Sequence, residues 1–421
     1  MAERESSKGA VSRNEECDKD EEAPGKILTQ SPADARRRAS LNNFARVKLQ
    51  ESRDRHLKRT LIATERRPGA RTRQQSEDLV SFACNDYLGL SHHPKVVEAS
   101  REATRVHGAG AGASRLITGN NSLYADLETA LAGIKGTEDA VVFGSGYLTN
   151  IGVIPALAAR PDLILIDELC HACLHAGATL ARCRTIRYSH LDTSELASLL
   201  NEHRPAHRHC LVLTDGVFSM DGDRAPVDTL LKLCKDHDAW LMTDDAHGLG
   251  VIENGRGSGF VDGRAVPVPL QMGTLSKAVG AYGGYLCASR EVAELIRNRA
   301  RSLHYTTGLP PGTLAAAIAA LELIATDQDL VRRPLERAGR FTGQLGLAPP
   351  ESPIVPLIVG EAHRTMLAAE TLRKRGFLVG AIRPPTVPDG AARLRLTFSA
   401  VHAEEDVDRL ALAVKEVLPG R

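Results

Sequence analysis

Apolar positions along the chain follow two alternating patterns. Short, mostly apolar runs lie at residues 140–143, 163–166, 210–214 and 239–242, with a further run at 266–272, and the mixed stretch 184–188 falls in the same series. Between them the apolar residues recur every three or four positions, as in residues 193–202 and 227–237. Short runs read as buried strands and the 3.6-residue period as helices, so the order predicts a mostly parallel α/β sheet. Residues 285–288 read as an edge strand, 291–303 as a basic amphipathic helix and 313–324 as an apolar, alanine-rich helix.

The pattern divides the chain into four parts. Residues 1–32 are polar and charged and are expected to be a disordered tail, because they bury too little apolar surface to order themselves. Residues 33–78 read as an N-terminal helical segment, with Leu41, Phe44 and Val47 near helical spacing among many Arg and Lys residues. Residues 79–325 form the large domain and 326–421 a smaller C-terminal α/β domain. In the latter, Leu394, Leu396 and Phe398 alternate as one strand face. Val407, Leu410, Val414 and Val417 make the apolar stripe of a last helix.

Composition narrows the function. Apolar residues make up 43% and charged residues 25% of 421, as in an ordinary globular protein. A formal net charge of +1 with 4% aromatics gives no case for nucleic acid or an anionic membrane. Neither a spanning apolar stretch nor a signal-peptide core is found, which predicts a cytoplasmic location. Eight cysteines lie scattered, and the Cys170-His-Ala-Cys173 spacing lacks the second pair a zinc site needs, so no metal is expected. That spacing reads as accidental, with the chemistry of the segment assigned to His171.

The chemistry concentrates where the apolar runs end. The run at 239–242 leads to Asp244, with His247 three places on, and the run at 266–272 leads to Lys277 in a small-residue loop. Lysine suits Schiff-base work because burial lowers its pKa and leaves a neutral nucleophilic amine. An aspartate to pair with a ring nitrogen and a histidine to reach a ring hydroxyl complete the layout for an aldehyde cofactor. Residues 144–150 turn from a strand into a helix through small residues, a place suited to a phosphate. The glycine-rich tract at 107–115 is not a GxGxxG in strand-turn-helix context, which rejects a dinucleotide fingerprint.

From about residue 79 to 417 the chain resembles the α-oxoamine synthases, pyridoxal-phosphate enzymes of the fold-type-I aminotransferase class. The match rests on these motifs, on residues 85–94 and 216–223, and above all on 381–388 followed by 392–397. The resemblance implies a homodimer that condenses an amino acid with an acyl thioester, with loss of carbon dioxide. The last stretch narrows the implied substrates to L-alanine and a pimeloyl thioester on coenzyme A or a carrier protein, a step of biotin biosynthesis. The alternative keeps the cofactor and changes the substrates, as in 5-aminolevulinate synthase, 2-amino-3-ketobutyrate ligase or serine palmitoyltransferase.

Carried over by residue, the resemblance makes Lys277 the cofactor lysine and Asp244 the partner of the pyridine nitrogen. His247 and Ser219 bond the ring oxygen, and His171 stacks on the ring. Gly146, Tyr147 and Thr274 bind the phosphate, with Thr306 or Thr307 reaching the phosphate of the partner subunit. Asn85 and Arg383 grip the amino-acid carboxylate, Thr386 matches a substrate position, and Arg59 is matched to the acyl substrate. Arg393 and Arg395 read as solvent-facing strand residues.

Overall fold

A computed structural model describes residues 32–54 and 57–418; the expected tail at 1–32 lies, apart from Pro32, outside the described residues. The chain divides into two compact units between Leu61 and Ile62. In the first unit, Pro32–Asp54 is helical and its Leu41, Phe44 and Val47 are exposed. The helix stops well short of residue 78. Thr64–Arg67 and Arg71–Gln74 are instead antiparallel strands, turned at Gly69, whose φ of 72° favours glycine. Thr72 and Gln74 face inward on alternate positions of the second strand. Polar side chains on the buried face hid this hairpin from a reading based on apolar period.

The second unit holds two large sheets and a two-stranded ribbon of Phe260–Val261 with Arg264–Ala265. Seven strands run in the order Asp139–Phe143, Gly284–Ala288, Leu270–Thr274, Trp240–Asp244, Cys210–Asp215, Leu163–Asp167, Arg184–Tyr188. The last five pair in parallel, as predicted. Gly284–Ala288 runs antiparallel to both its neighbours and is an interior strand rather than an edge. All five of its residues are buried, so two-sided burial made its short apolar run ambiguous.

The smaller sheet joins the two ends of the unit. Glu77–Phe82 pairs in parallel with Phe377–Ile382, which is followed across the sheet by Ala392–Thr397 and Ile354–Gly360. The expected boundary at residue 79 therefore shifts, since this strand and the preceding hairpin belong to the small sheet. Its core gathers Val80, Phe82, Leu394, Leu396 and Phe398 against Val407, Leu410 and Val414 of the terminal helix Glu404–Val417. All of Ala392–Thr397 is buried, arginines included. Arg393 and Arg395 are 5% and 6% exposed, which corrects their reading as solvent-facing.

Candidate active site

The parallel strands end on one side, where their following turns enclose a cavity of about 150 Å³. Trp240–Asp244 delivers Asp244 and, in the next turn, His247; Leu270–Thr274 delivers Thr274 and, beyond it, Lys277. Ligand sites at the carboxyl ends of strands are the rule for such sheets. The lysine loop is held tightly. Ala281 donates to the Leu275 carbonyl, Gly280 to that of Lys277, and Gly280 has a φ of 69° with no room for a side chain beside Ser91.

Six side chains or backbones expected at the site meet around this cavity with Lys277: Gly146, Tyr147, His171, Asp244, His247 and Thr274. Burial pulls the Lys277 amine below its ordinary value, while Asp244 and Asp215 oppose that shift. Burial likewise holds His247 well below the usual imidazole range, with Lys277 and Arg395 as like charges beside it. His247 Nδ1 lies 2.7 Å from the Tyr87 hydroxyl, whose own pKa burial pushes up to about 12. The tyrosine and the imidazole share a hydrogen across this contact.

Asp244 is 4% exposed, and its Oδ2 accepts from Asn150 Nδ2 at 2.8 Å. Asp215, a second carboxylate on the cavity wall, is driven well up by burial and by the nearby charge of Asp244. It accepts the backbone N–H of His171. Asp215 was not singled out from sequence, and Cys173, also on the wall, was read there only as part of an accidental spacing. Asp215 ends an apolar strand beside the noticed 216–223 stretch, and that end position was the available signal.

The opposite wall is a helix start. Ser145 caps Gly146–Leu157 by accepting from Leu148 N, which leaves the N–H groups of Gly146 and Tyr147 facing the cavity beside Thr274 and Ser276. A Cβ at Gly146 would press on Met272 and Thr274 at 3.2 and 3.3 Å, so a side chain there would be tight. A pyridoxal phosphate fits these groups: backbone donors and hydroxyls for a phosphate, a buried carboxylate for a ring nitrogen, and an amine of lowered pKa for an aldehyde.

Other expected residues stand outside the cavity lining. Ser219 is buried, and its carbonyl accepts from Arg395 Nε. Asn85 Oδ1 accepts from Arg395 Nη1 at 3.1 Å and from Tyr87 at 3.3 Å. Arg395 therefore joins Asn85, Ser219 and, through Tyr87, His247. Arg383 Nη1 donates to Met366 Sδ, and Thr386 is exposed. Thr307 pairs with Ser114, and Thr306 lies beside the Gly144 turn. Arg59 belongs to the first unit.

Comparison with known proteins agrees with this architecture. The aminotransferase class I and II family matches residues 77–414. A protein of Acidiphilium cryptum, provisionally named an 8-amino-7-oxononanoate synthase, is 59% identical over 90% of this chain and 98% of its own. The 8-amino-7-oxononanoate synthase of Granulibacter bethesdensis is 55% identical over 90% and 98%. Among solved structures, the serine palmitoyltransferase of S. paucimobilis with a bound PLP–myriocin aldimine superposes with a TM-score of 0.83. It is 26% identical, covering 90% of this chain and 98% of that one. The chain belongs to the aminotransferase class I and II family, in the branch that holds the 8-amino-7-oxononanoate synthases.

Proposed function

We propose that the protein catalyses the decarboxylative condensation of L-alanine with a pimeloyl thioester, giving 8-amino-7-oxononanoate for biotin synthesis with pyridoxal phosphate as cofactor. The observation that carries this reading is the convergence of Lys277, Asp244, His247 and His171 on one cavity capped by a helix start. The names borne by relatives at 55–59% identity support the choice of substrates.

When bound, the cofactor supplies an electron sink for the carbanion at the amino-acid Cα. Lys277 would hold the aldehyde carbon, and its free amine would take and return the proton at Cα, work its lowered pKa suits. Asp244, anchored by Asn150, keeps a proton on the pyridine nitrogen. Gly146 N–H, Tyr147 N–H and the Thr274 hydroxyl would hold the phosphate and His247 the ring oxygen, with Ser219, buried outside the cavity lining, assigned to the same oxygen. His171, on the cavity wall, would cover the ring.

The carboxylate grip passes to Arg395 in place of Arg383. Arg395 is buried, already bonded to Asn85, and near enough to weigh on both Lys277 and His247. A guanidinium fork fits a carboxylate with two hydrogen bonds. Thr386 is assigned to a substrate position, and Arg59 keeps its match to the acyl substrate. The working unit is a homodimer, with Thr306 or Thr307 reaching the phosphate of the second subunit. Leu116, Ile117 and Tyr305, all exposed near the Ser114–Thr307 pairing, support that assembly as an apolar patch to be covered. Among the described residues no helix is long and apolar enough to cross a membrane, and the enzyme is assigned to the cytoplasm.

The test is an absorbance spectrum of the reconstituted protein, titrated with L-alanine, glycine or L-serine, with and without pimeloyl-CoA. A visible band that responds to alanine, with carbon dioxide released on adding the thioester, is the expected result. A response only to glycine or serine would move the protein to a sister activity of the same family.

A further inference from the structure

The Cys170 to Cys173 spacing has a role that its pattern conceals. Both residues carry free thiols. Cys170 is a core side chain against the Leu213 carbonyl, but Cys173 reaches the cavity wall. Its Sγ lies 2.7 Å from Nδ1 of His171, and the Cys173 backbone N–H points at the same nitrogen from 3.3 Å. His171 is the cap of the helix Ala172–Ala181, so its ring bends back over the first turn.

On its other side the sulfur accepts from Asn150 Nδ2 at 3.0 Å, and that amide also donates to Asp244. With the amide donating to it, the sulfur gives its own hydrogen either to Nδ1 at 2.7 Å or to Asp244 Oδ2 at 3.8 Å. The shorter contact wins. Burial, with the charge of Asp244 beside it, pushes the Cys173 thiol up to about 12, so it keeps its proton at neutral pH.

We propose that Cys173 is a positioning residue for His171: its thiol, oriented by Asn150, donates to Nδ1 and keeps the ring's single proton on Nε2, the nitrogen left for the cavity. The inference rests on the reading that His171 lies over the bound cofactor. It deepens that reading by making the histidine a neutral donor there, able to hold a substrate oxygen and unable to act as a base through Nε2. One line of contacts, His171–Cys173–Asn150–Asp244, then ties the group above the ring to the group at its nitrogen edge.

The experiment is nitrogen NMR of protein carrying 15N-histidine, without cofactor and at neutral pH, with His171→Gln to assign the signal. Wild type is expected to show Nε2 protonated and Nδ1 bare. Cys173→Ala should spread the proton over both nitrogens, and Cys173→Ser, which donates in the same way, should restore the wild-type state. In the loaded enzyme Cys173→Ala should lower kcat about three- to tenfold at an unchanged KM for alanine, again restored by serine. A proton on Nδ1 in the wild type would overturn the proposal, even if the alanine variant failed to fold. An unchanged ring in Cys173→Ala would do so as well. Failure of the condensation itself would sink the proposed function and leave the NMR result standing.

Discussion

At the scale of single residues, the arginines of the strand Ala392–Thr397 decide how the site holds its substrate. Arg395→Ala removes a buried guanidinium bonded to Asn85 and to the Ser219 carbonyl. It should raise the KM for alanine at least tenfold, since a charged hydrogen bond contributes about 1.5–3 kcal/mol. Arg383→Ala should stay within about threefold, and steady-state kinetics of the two variants decides between them. Lys277→Ala should lower turnover by about a hundredfold or more. Lys277, Asp244 and His247 were legible because each follows an apolar run at a strand end. Arg395 was not, because strand alternation marks its side as non-apolar without saying whether water or a second domain covers it.

Among the elements, the helix Gly146–Leu157 and the turn 216–223 carry the clearest consequences. Ser145→Ala removes the cap acceptor of Leu148 N and should cost about 1 kcal/mol in a denaturant melt, with weaker cofactor retention. The turn is clamped from outside by His190, whose Nε2 meets Asp223 and whose Nδ1 meets Asp167 at the end of the neighbouring strand. These two carboxylates outweigh the desolvation that opposes them, and the His190 pKa rises to about 10. A raised folded-state pKa stabilises fully below the unfolded value near 6.5 and is lost as pH climbs toward 10. Melting temperature should therefore fall over that alkaline range, and His190→Gln should flatten the fall. The alternation of strands and helices in this region was plain in the sequence. The clamp was invisible there, because it joins two loops that only the parallel order of strands brings side by side.

For the molecule as a whole, a buried ion pair fastens the catalytic turn to the large domain. Lys135 and Asp245 are both wholly enclosed, 2.6 Å apart, and Asp245 also accepts from Ser258 N. Gly216, Gly248 and Gly257 crowd the carboxylate, with no room for a Cβ at any of the three. Lys135→Met should cost about 3–5 kcal/mol by leaving that carboxylate uncompensated, and adding Asp245→Asn should return much of it, as read from urea midpoints. Acid works through other groups. His402 is held by burial at about 4 while it bonds Ser81 and Ser399. A lowered histidine pKa removes stability as pH falls below about 6.5 toward 4, so the acid limb should shrink in His402→Gln.

The small sheet has a consequence for how the protein is made on the ribosome. Glu77–Phe82 finds its parallel neighbour only in Phe377–Ile382, and Thr397 bonds the Cys84 carbonyl 313 positions upstream. The first strands to leave the exit tunnel must wait with an open edge until nearly the whole chain is translated. Asn85 waits with them, because Arg395 arrives last. The seven-stranded sheet can close on the nascent polypeptide, but the grip on the substrate is completed only near the end of synthesis.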